Sequence, residues 1–354
     1  MSDWSLPLLI AVFAAAAAVI WVAGIALSDQ TDVLATRLHL GTALGGLILL
    51  AVATNLPEIA ITVSAAISGN LDVAVGNVLG GIAIQTVVLV VLDVFGVRGS
   101  RPLTYRAASL VLVLEGALVV AVLGVVVAGS QLPARLVLGR LEPAALLIAV
   151  LWVVGLLLVQ RASTSLPWHE QGNPPDGQDR PRGHSQQQTE QRARGTGTAR
   201  AAIVFGGAAL LTLVAGVVLE RSGDAIADQV GLTGVLFGAT VLAAATSLPE
   251  VSTGLTSVKN GDHQLAVSDI FGGNAFLPVL FLVASLISGK AVLPQAHDTD
   301  IYLTALGILL TLTYMAGLVF RPGRRIARMG VDSLVVLALY ALGVVGLVAI
   351  ATGG

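Results

Sequence analysis

One segment of this sequence occurs twice. TNLPE followed by GNVLGG spans Thr54 to Gly81, and TSLPE followed by SDIFGG spans Thr246 to Gly273, with every matched position 192 residues apart. Leu44 to Gln85 aligns with Leu236 to Leu277 without a gap, and the identities include Thr54, Pro57, Glu58, Gly69, Gly80 and Gly81. A chance match between apolar segments would preserve Leu and Ala, not a Thr, a Pro, a Glu and three Gly in fixed order. Both copies lie in strongly apolar sequence, where Glu58 and Glu250 are expensive to bury without a function. A duplicated apolar segment that carries a carboxylate points to ion handling inside a membrane.

Of the 354 residues, 55% are hydrophobic and only 11% charged, far from the usage of a soluble domain. Ten apolar runs approach or exceed the roughly 20 residues that cross a hydrocarbon core. They lie near Leu6 to Leu27, Leu40 to Ile67, Leu71 to Val97, Leu103 to Val127, Pro143 to Val159, Ala201 to Leu219, Leu232 to Val258, Leu265 to Ile287, Ile301 to Phe320 and Leu334 to Ala351. Transmembrane strands would be shorter and would alternate in polarity. The expected fold is therefore an all-α integral membrane protein of ten transmembrane helices. No Lys or Arg precedes Arg37, so the first run lacks the basic region of a signal peptide and reads as a retained helix. The absence of cysteine excludes disulfides and thiolate metal sites.

The 19 Lys and Arg residues set the orientation. With an outside N-terminus, the inward loops carry Arg37, Arg98, Arg101, Arg106, the basic residues from Arg161 to Arg200, Lys259, and those from Arg321 to Arg328. Only Arg135, Arg140, Arg221 and Lys290 fall outward. Cytoplasmic loops are the basic ones, which puts both termini outside a prokaryotic cell (inner) membrane. Between 162 and 199 the sequence turns to Gln, Arg, Gly, Ser, Thr and Pro and cannot bury enough surface to fold alone, so it reads as a flexible cytoplasmic linker. It separates a first half, 1–161, from a second, 200–354. Five helices in each half make the second enter from the opposite side, which is inverted-repeat architecture.

Each residue type in the repeat has a mechanical reason. Pro57 and Pro249 remove a backbone donor and should break the second and seventh helices near mid-membrane. The break would expose carbonyls around Val52 to Thr54 and Ala244 to Thr246, and hard cations bind oxygen. Glu58 and Glu250 follow in the first turn, where the half-helix dipole favours a carboxylate. Nineteen residues further on, Asn77 and Asp269 stand beside paired glycines that allow close helix approach.

This constellation resembles the cation/calcium antiporter superfamily, in particular the sodium/calcium exchanger family with its paired alpha repeats. The resemblance implies a secondary antiporter that exchanges Ca2+ for Na+, or alternatively a proton-coupled antiporter of Ca2+ or another cation, with the bilayer and these ions as partners, no obligatory protein partner and no cofactor. It implies that Glu58 and Glu250 are the shared central ligands. Asn77 and Asp269 would complete the site, with oxygen from Thr54, Thr246 and Ser247. The sequence departs from the family where Asn55 replaces Ser, where Val73 and Leu265 stand one turn before the helix ligands, and where Ile82 is opposite Asn274. Fewer hydroxyl oxygens leave sodium and proton coupling both open.

A cation channel could use the same carboxylates and would conduct without a counter-ion gradient. An intramembrane enzyme is disfavoured, because His39, His169, His184, His263 and His297 map to loops or helix ends and no H-E-x-x-H occurs. Glu115, midway along the fourth run, is either a proton-linked carboxylate or one facing a polar interior. Asp93 reads as hydrated near the cytoplasmic end of its helix. The run from Arg321 to Arg328 reads as a topology determinant that meets anionic lipid heads.

Overall fold

A computed structural model describes residues 4–37, 51–164, 197–231, 237–259 and 261–353. Nearly all of it is helical, and the helices are α1 (Leu6–Arg37), α2 (Leu56–Ser68), α3 (Leu71–Val91), α4 (Leu103–Ala107), α5 (Leu110–Ser130), α6 (Pro143–Thr164), α7 (Thr198–Val230), α8 (Ala243–Thr246), α9 (Leu248–Lys259), α10 (His263–Phe276), α11 (Leu280–Ser288), α12 (Asp298–Phe320) and α13 (Val331–Gly353). A small antiparallel hairpin of β1 (Arg325–Ile326) and β2 (Met329–Gly330) joins α12 to α13. Among the described residues, 8 helices are long and apolar enough to cross a membrane. Two of the ten expected runs are not among them. Leu40 to Ile67 is described only from residue 51 and Leu232 to Val258 only from residue 237, and both are interrupted where the prolines fall. Most of the stretch read as a linker also lies outside the described residues.

Two boundaries differ from expectation for clear physical reasons. The run from Leu103 divides at Ser109, whose extended backbone (φ −156, ψ 139) and side chain, accepting from the Val111 amide, begin α5 afresh. Helices α1 and α7 are 32 and 33 residues long, well beyond the apolar runs that predicted them. At 1.5 Å per residue each exceeds the bilayer core by several turns.

These two long helices pair with one another and lie across the rest of the molecule, α1 against α9 and α7 against α2. The principal core is formed by α3, α5, α10 and α12, with Phe271, Phe281, Leu79, Ile82 and Tyr314 fully enclosed. Where the long helices cross the core, glycine allows contact with proline. A Cβ on Gly24 would lie 3.0 Å from Pro249 Cβ, and one on Gly216 would lie 3.2 Å from Pro57 Cα. Gly24 and Gly216 are themselves 192 residues apart.

Asp93 is buried rather than hydrated. Its carboxylate accepts from the Leu103 amide at 2.9 Å, the Gly330 amide at 2.6 Å and the Ser333 hydroxyl at 2.9 Å, with Arg325 at 3.8 Å. The basic run is correspondingly not simply a lipid-facing tag. Arg325 turns inward and donates to the carbonyls of Asp93, Val97, Gly99 and Arg328, while Arg101 and Arg321 each stand 4.7 Å from the Tyr105 ring. Asp93→Ala removes the acceptor of three donors and the partner of a half-buried guanidinium, so it is expected to cost about 3–5 kcal/mol. Thermal melting of the detergent-purified variant checks this, and a melting point equal to wild type would refute the role.

Candidate ion-binding site

The two proline breaks have the same backbone form. Residues 51–54 and α8 end as helix, one residue turns at each junction (Asn55 φ −86, ψ 14; Ser247 φ −80, ψ 6), and α2 and α9 then begin with Pro57 or Pro249 and place Glu58 or Glu250 in the first turn. Proline supplies no N–H to the carbonyls of Ala53 and Ala245. The junction residue bonds back one turn in both copies. Asn55 Nδ2 donates to the Ala51 carbonyl at 2.7 Å, and Ser247 Oγ to the Ala243 carbonyl at 2.8 Å. The amide that departs from the family thus does the work of the serine, and in both cases that donor is already committed.

Glu58, Glu250, Thr54 and Thr246 are all buried and come together. The contacts are crossed between the copies: the Thr246 hydroxyl faces the Glu58 carboxylate, and the Thr54 hydroxyl faces Glu250. Asp269 lies within electrostatic reach of Glu250, and its Oδ2 accepts from Thr253 Oγ1 at 2.8 Å. Asn77 is placed differently. Its amide donates to the Glu58 carbonyl at 3.3 Å and to Thr62 Oγ1 at 3.4 Å, so it supports the broken helix and contacts Glu58 through the backbone.

Sequence reasoning missed Gln85. From α3 its Nε2 reaches Asn55 Oδ1 at 3.0 Å, Glu250 Oε1 at 3.3 Å and Glu58 Oε1 at 3.5 Å, the last at the limit for a hydrogen bond. One amide therefore stands between the two carboxylates. Its counterpart in the second copy is Leu277, so the repeat gave no signal for it. The neighbouring Gly273 leaves room for this arrangement, since a Cβ there would come within 2.8 Å of Asn55 Nδ2. Asn274 also faces inward and donates to Thr86 Oγ1 at 3.0 Å. Glu115 is buried in α5, and a Cβ on the adjacent Gly116 would meet Met315 and Phe271.

The chemistry left open is that of oxygen. Glu58 Oε2, Glu250 Oε2, Gln85 Oε1, Asp269 Oδ1 and Asn274 Oδ1 are buried acceptors without a hydrogen-bond partner. Every hydrogen-bond partner named above for Glu58 and Glu250 is neutral. Buried carboxylates without a positive partner are strongly unfavourable unless a cation or a proton joins them. A cavity of about 230 Å³ reaches Asn77 from outside the core and is lined by Asp72, Asp224, Asp300, Val73 and His297. Its acids would concentrate cations on the approach to the site.

The fold and family follow from comparison with known proteins. The chain is 28% identical over 257 residues to the inner membrane protein YrbG of Escherichia coli (strain K12), covering 72% of each chain. Its fold is that of the H+/Ca2+ exchanger CAX, with TM-score 0.68 and 13% identity over 96% of this chain and 82% of that one. It is equally that of the sodium-calcium exchanger NCX_Mj, with TM-score 0.60 and 15% identity over 98% and 99% of the two chains. The family model for the sodium/calcium exchanger protein matches residues 8–160 and 200–349. This multi-pass integral membrane protein belongs to the sodium/calcium exchanger family, within the cation/calcium antiporters.

Proposed function

We propose that the protein is a secondary antiporter that exchanges Ca2+ for Na+ by alternating access, at a site formed by Glu58, Glu250 and Asp269 with Thr54, Thr246, Ser247, Asn77 and Gln85. The observation that carries this reading is the pair of buried glutamates, one after each proline break, each faced by the threonine of the other copy. The architecture proposed is ten helices in two inverted halves, 1–161 and 200–354, with both termini outside an inner membrane. The constant offset of 192 residues, the matched junction angles and the paired Gly–Pro contacts support it.

Three carboxylates around one divalent ion retain one negative charge, whereas three monovalent ions neutralise them. The empty site would be strongly anionic and costly to carry through the membrane field, which makes exchange obligatory. Proton coupling is the second reading. It is favoured by the amide of Gln85 between the carboxylates and by Val73 and Leu265, which supply no oxygen from their side chains.

Proteoliposomes loaded with Na+ and diluted into Na+-free medium with radioactive calcium are expected to accumulate calcium until the gradient collapses. The same vesicles with a pH gradient in place of Na+ separate the two couplings. Calcium entry without any counter-ion gradient would overturn antiport in favour of a channel.

A further inference from the structure

At the end of the bundle that carries β1 and β2, two buried carboxylates face one another across Gly330. A Cβ on Gly330 would touch Asp332 Oδ1 and lie 3.3 Å from Asp93 Oδ2. Their circumstances differ sharply. Asp93 has the three donors and the guanidinium described above. Asp332, in the first turn of α13, is 6% exposed, and neither of its oxygens has a hydrogen-bond partner. The Thr104 hydroxyl of α4, also buried, faces Asp332 yet is likewise unpartnered. Were Asp332 simply a helix N-terminal acid, the first amides of α13 should meet it in hydrogen-bonding geometry. The Asp332 and Ser333 amides and the Thr104 hydroxyl lie close enough to act on it, but none meets either oxygen in hydrogen-bonding geometry.

The charges around this pocket do not balance. Arg325 is committed to Asp93, and the remaining groups that face the two acids, Ser333, Tyr314 and Thr104, are neutral. One negative charge is left over in a buried place whose free donors are all hard oxygens, the kind that hard cations select. A divalent ion would leave an excess positive charge beside Arg325, whereas a monovalent one restores neutrality.

We infer that Asp332, Thr104 and Asp93 form a second cation site, separate from the Glu58 and Glu250 pair, that takes a sodium-sized monovalent ion. Occupancy ties the end of α3 and the short helix α4 to the hairpin between α12 and α13. It therefore acts on stability rather than as a transport step.

The test removes the transport site and asks whether sodium still binds. Full-length protein carrying Glu58→Gln and Glu250→Gln is reconstituted in nanodiscs, and its melting is followed as Na+ replaces choline at constant ionic strength. A saturable rise of several degrees is expected by linkage to the folded state. Adding Asp332→Asn should abolish the rise, and Thr104→Val should move its midpoint at least about tenfold to higher Na+, in keeping with the loss of a supporting metal contact. No sodium-dependent rise in the double variant, or a rise that survives Asp332→Asn, overturns the site. If Asp332→Asn does not fold, an unchanged midpoint in Thr104→Val overturns it equally. Because both transport glutamates are already gone, failure here leaves the exchanger reading untouched, and failure of exchange in vesicles leaves this one untouched.

Discussion

Glu250→Gln is expected to abolish cation exchange while leaving the protein folded. Glutamine keeps the size of the side chain and can still meet Thr54 and Gln85, so packing around α9 should survive. What disappears is one of the carboxylates that face an incoming ion in a place closed to water. Removing one member of a buried charged set costs about 3–5 kcal/mol, equivalent to roughly 10²- to 10⁴-fold in cation affinity. Radioactive calcium uptake into vesicles should fall to background, with melting changed little in the absence of ions. Glu58→Gln should do the same, since the two glutamates occupy matching places. Uptake at the wild-type rate by either variant would refute the proposed site.

The second large effect is expected from Gly216→Leu. The glycine lets α7 rest on the first proline break, where a Cβ would lie 3.2 Å from Pro57 Cα and 3.3 Å from its carbonyl oxygen. Both neighbours are backbone and cannot rotate away. A leucine must push α7 from α2, and overpacking of this kind costs about 1–3 kcal/mol. If the proposed exchange moves the long helices past the break, that cost on the barrier slows exchange roughly ten- to hundredfold. Gly207→Leu on the same helix supplies the control, because a Cβ there meets nothing within 4 Å. If both leucine variants transported equally well, the contact at Gly216 would have no mechanical importance.

Much of the geometry of the proposed site was legible because the repeat doubled every signal. Pro57 and Pro249 predicted two breaks, and the structure places them at equivalent junctions with the glutamates just beyond. Gln85 was invisible for the opposite reason: its mate is Leu277, and a lone glutamine in an apolar run carries no positional signature. The fate of Asp93 was misread because its partners, Gly330, Ser333 and Arg325, lie more than 230 residues away in the sequence. Burial that depends on such distant loops leaves no local pattern. Helix lengths were underestimated because α1 and α7 continue through polar residues that a count of apolar ones stops at. The end of α7, from Glu220 to Gln229, packs on α1, with Ala225, Ile226 and Ala227 clustered with Leu9 and Ala16 and the Gln229 amide donating to the Trp4 carbonyl at 2.8 Å.

The crossed contacts of Thr246 with Glu58 and of Thr54 with Glu250 bear on how the molecule is made. During synthesis the first half reaches the membrane with Glu58 in place, but the threonine that faces it lies almost 190 residues downstream. Until that segment emerges, Glu58 has only first-half groups such as Gln85 to meet it, and a carboxylate at membrane depth is costly. In the proposed two-half architecture, docking of the second half would bring Thr246 to Glu58, and ion capture would then require both halves.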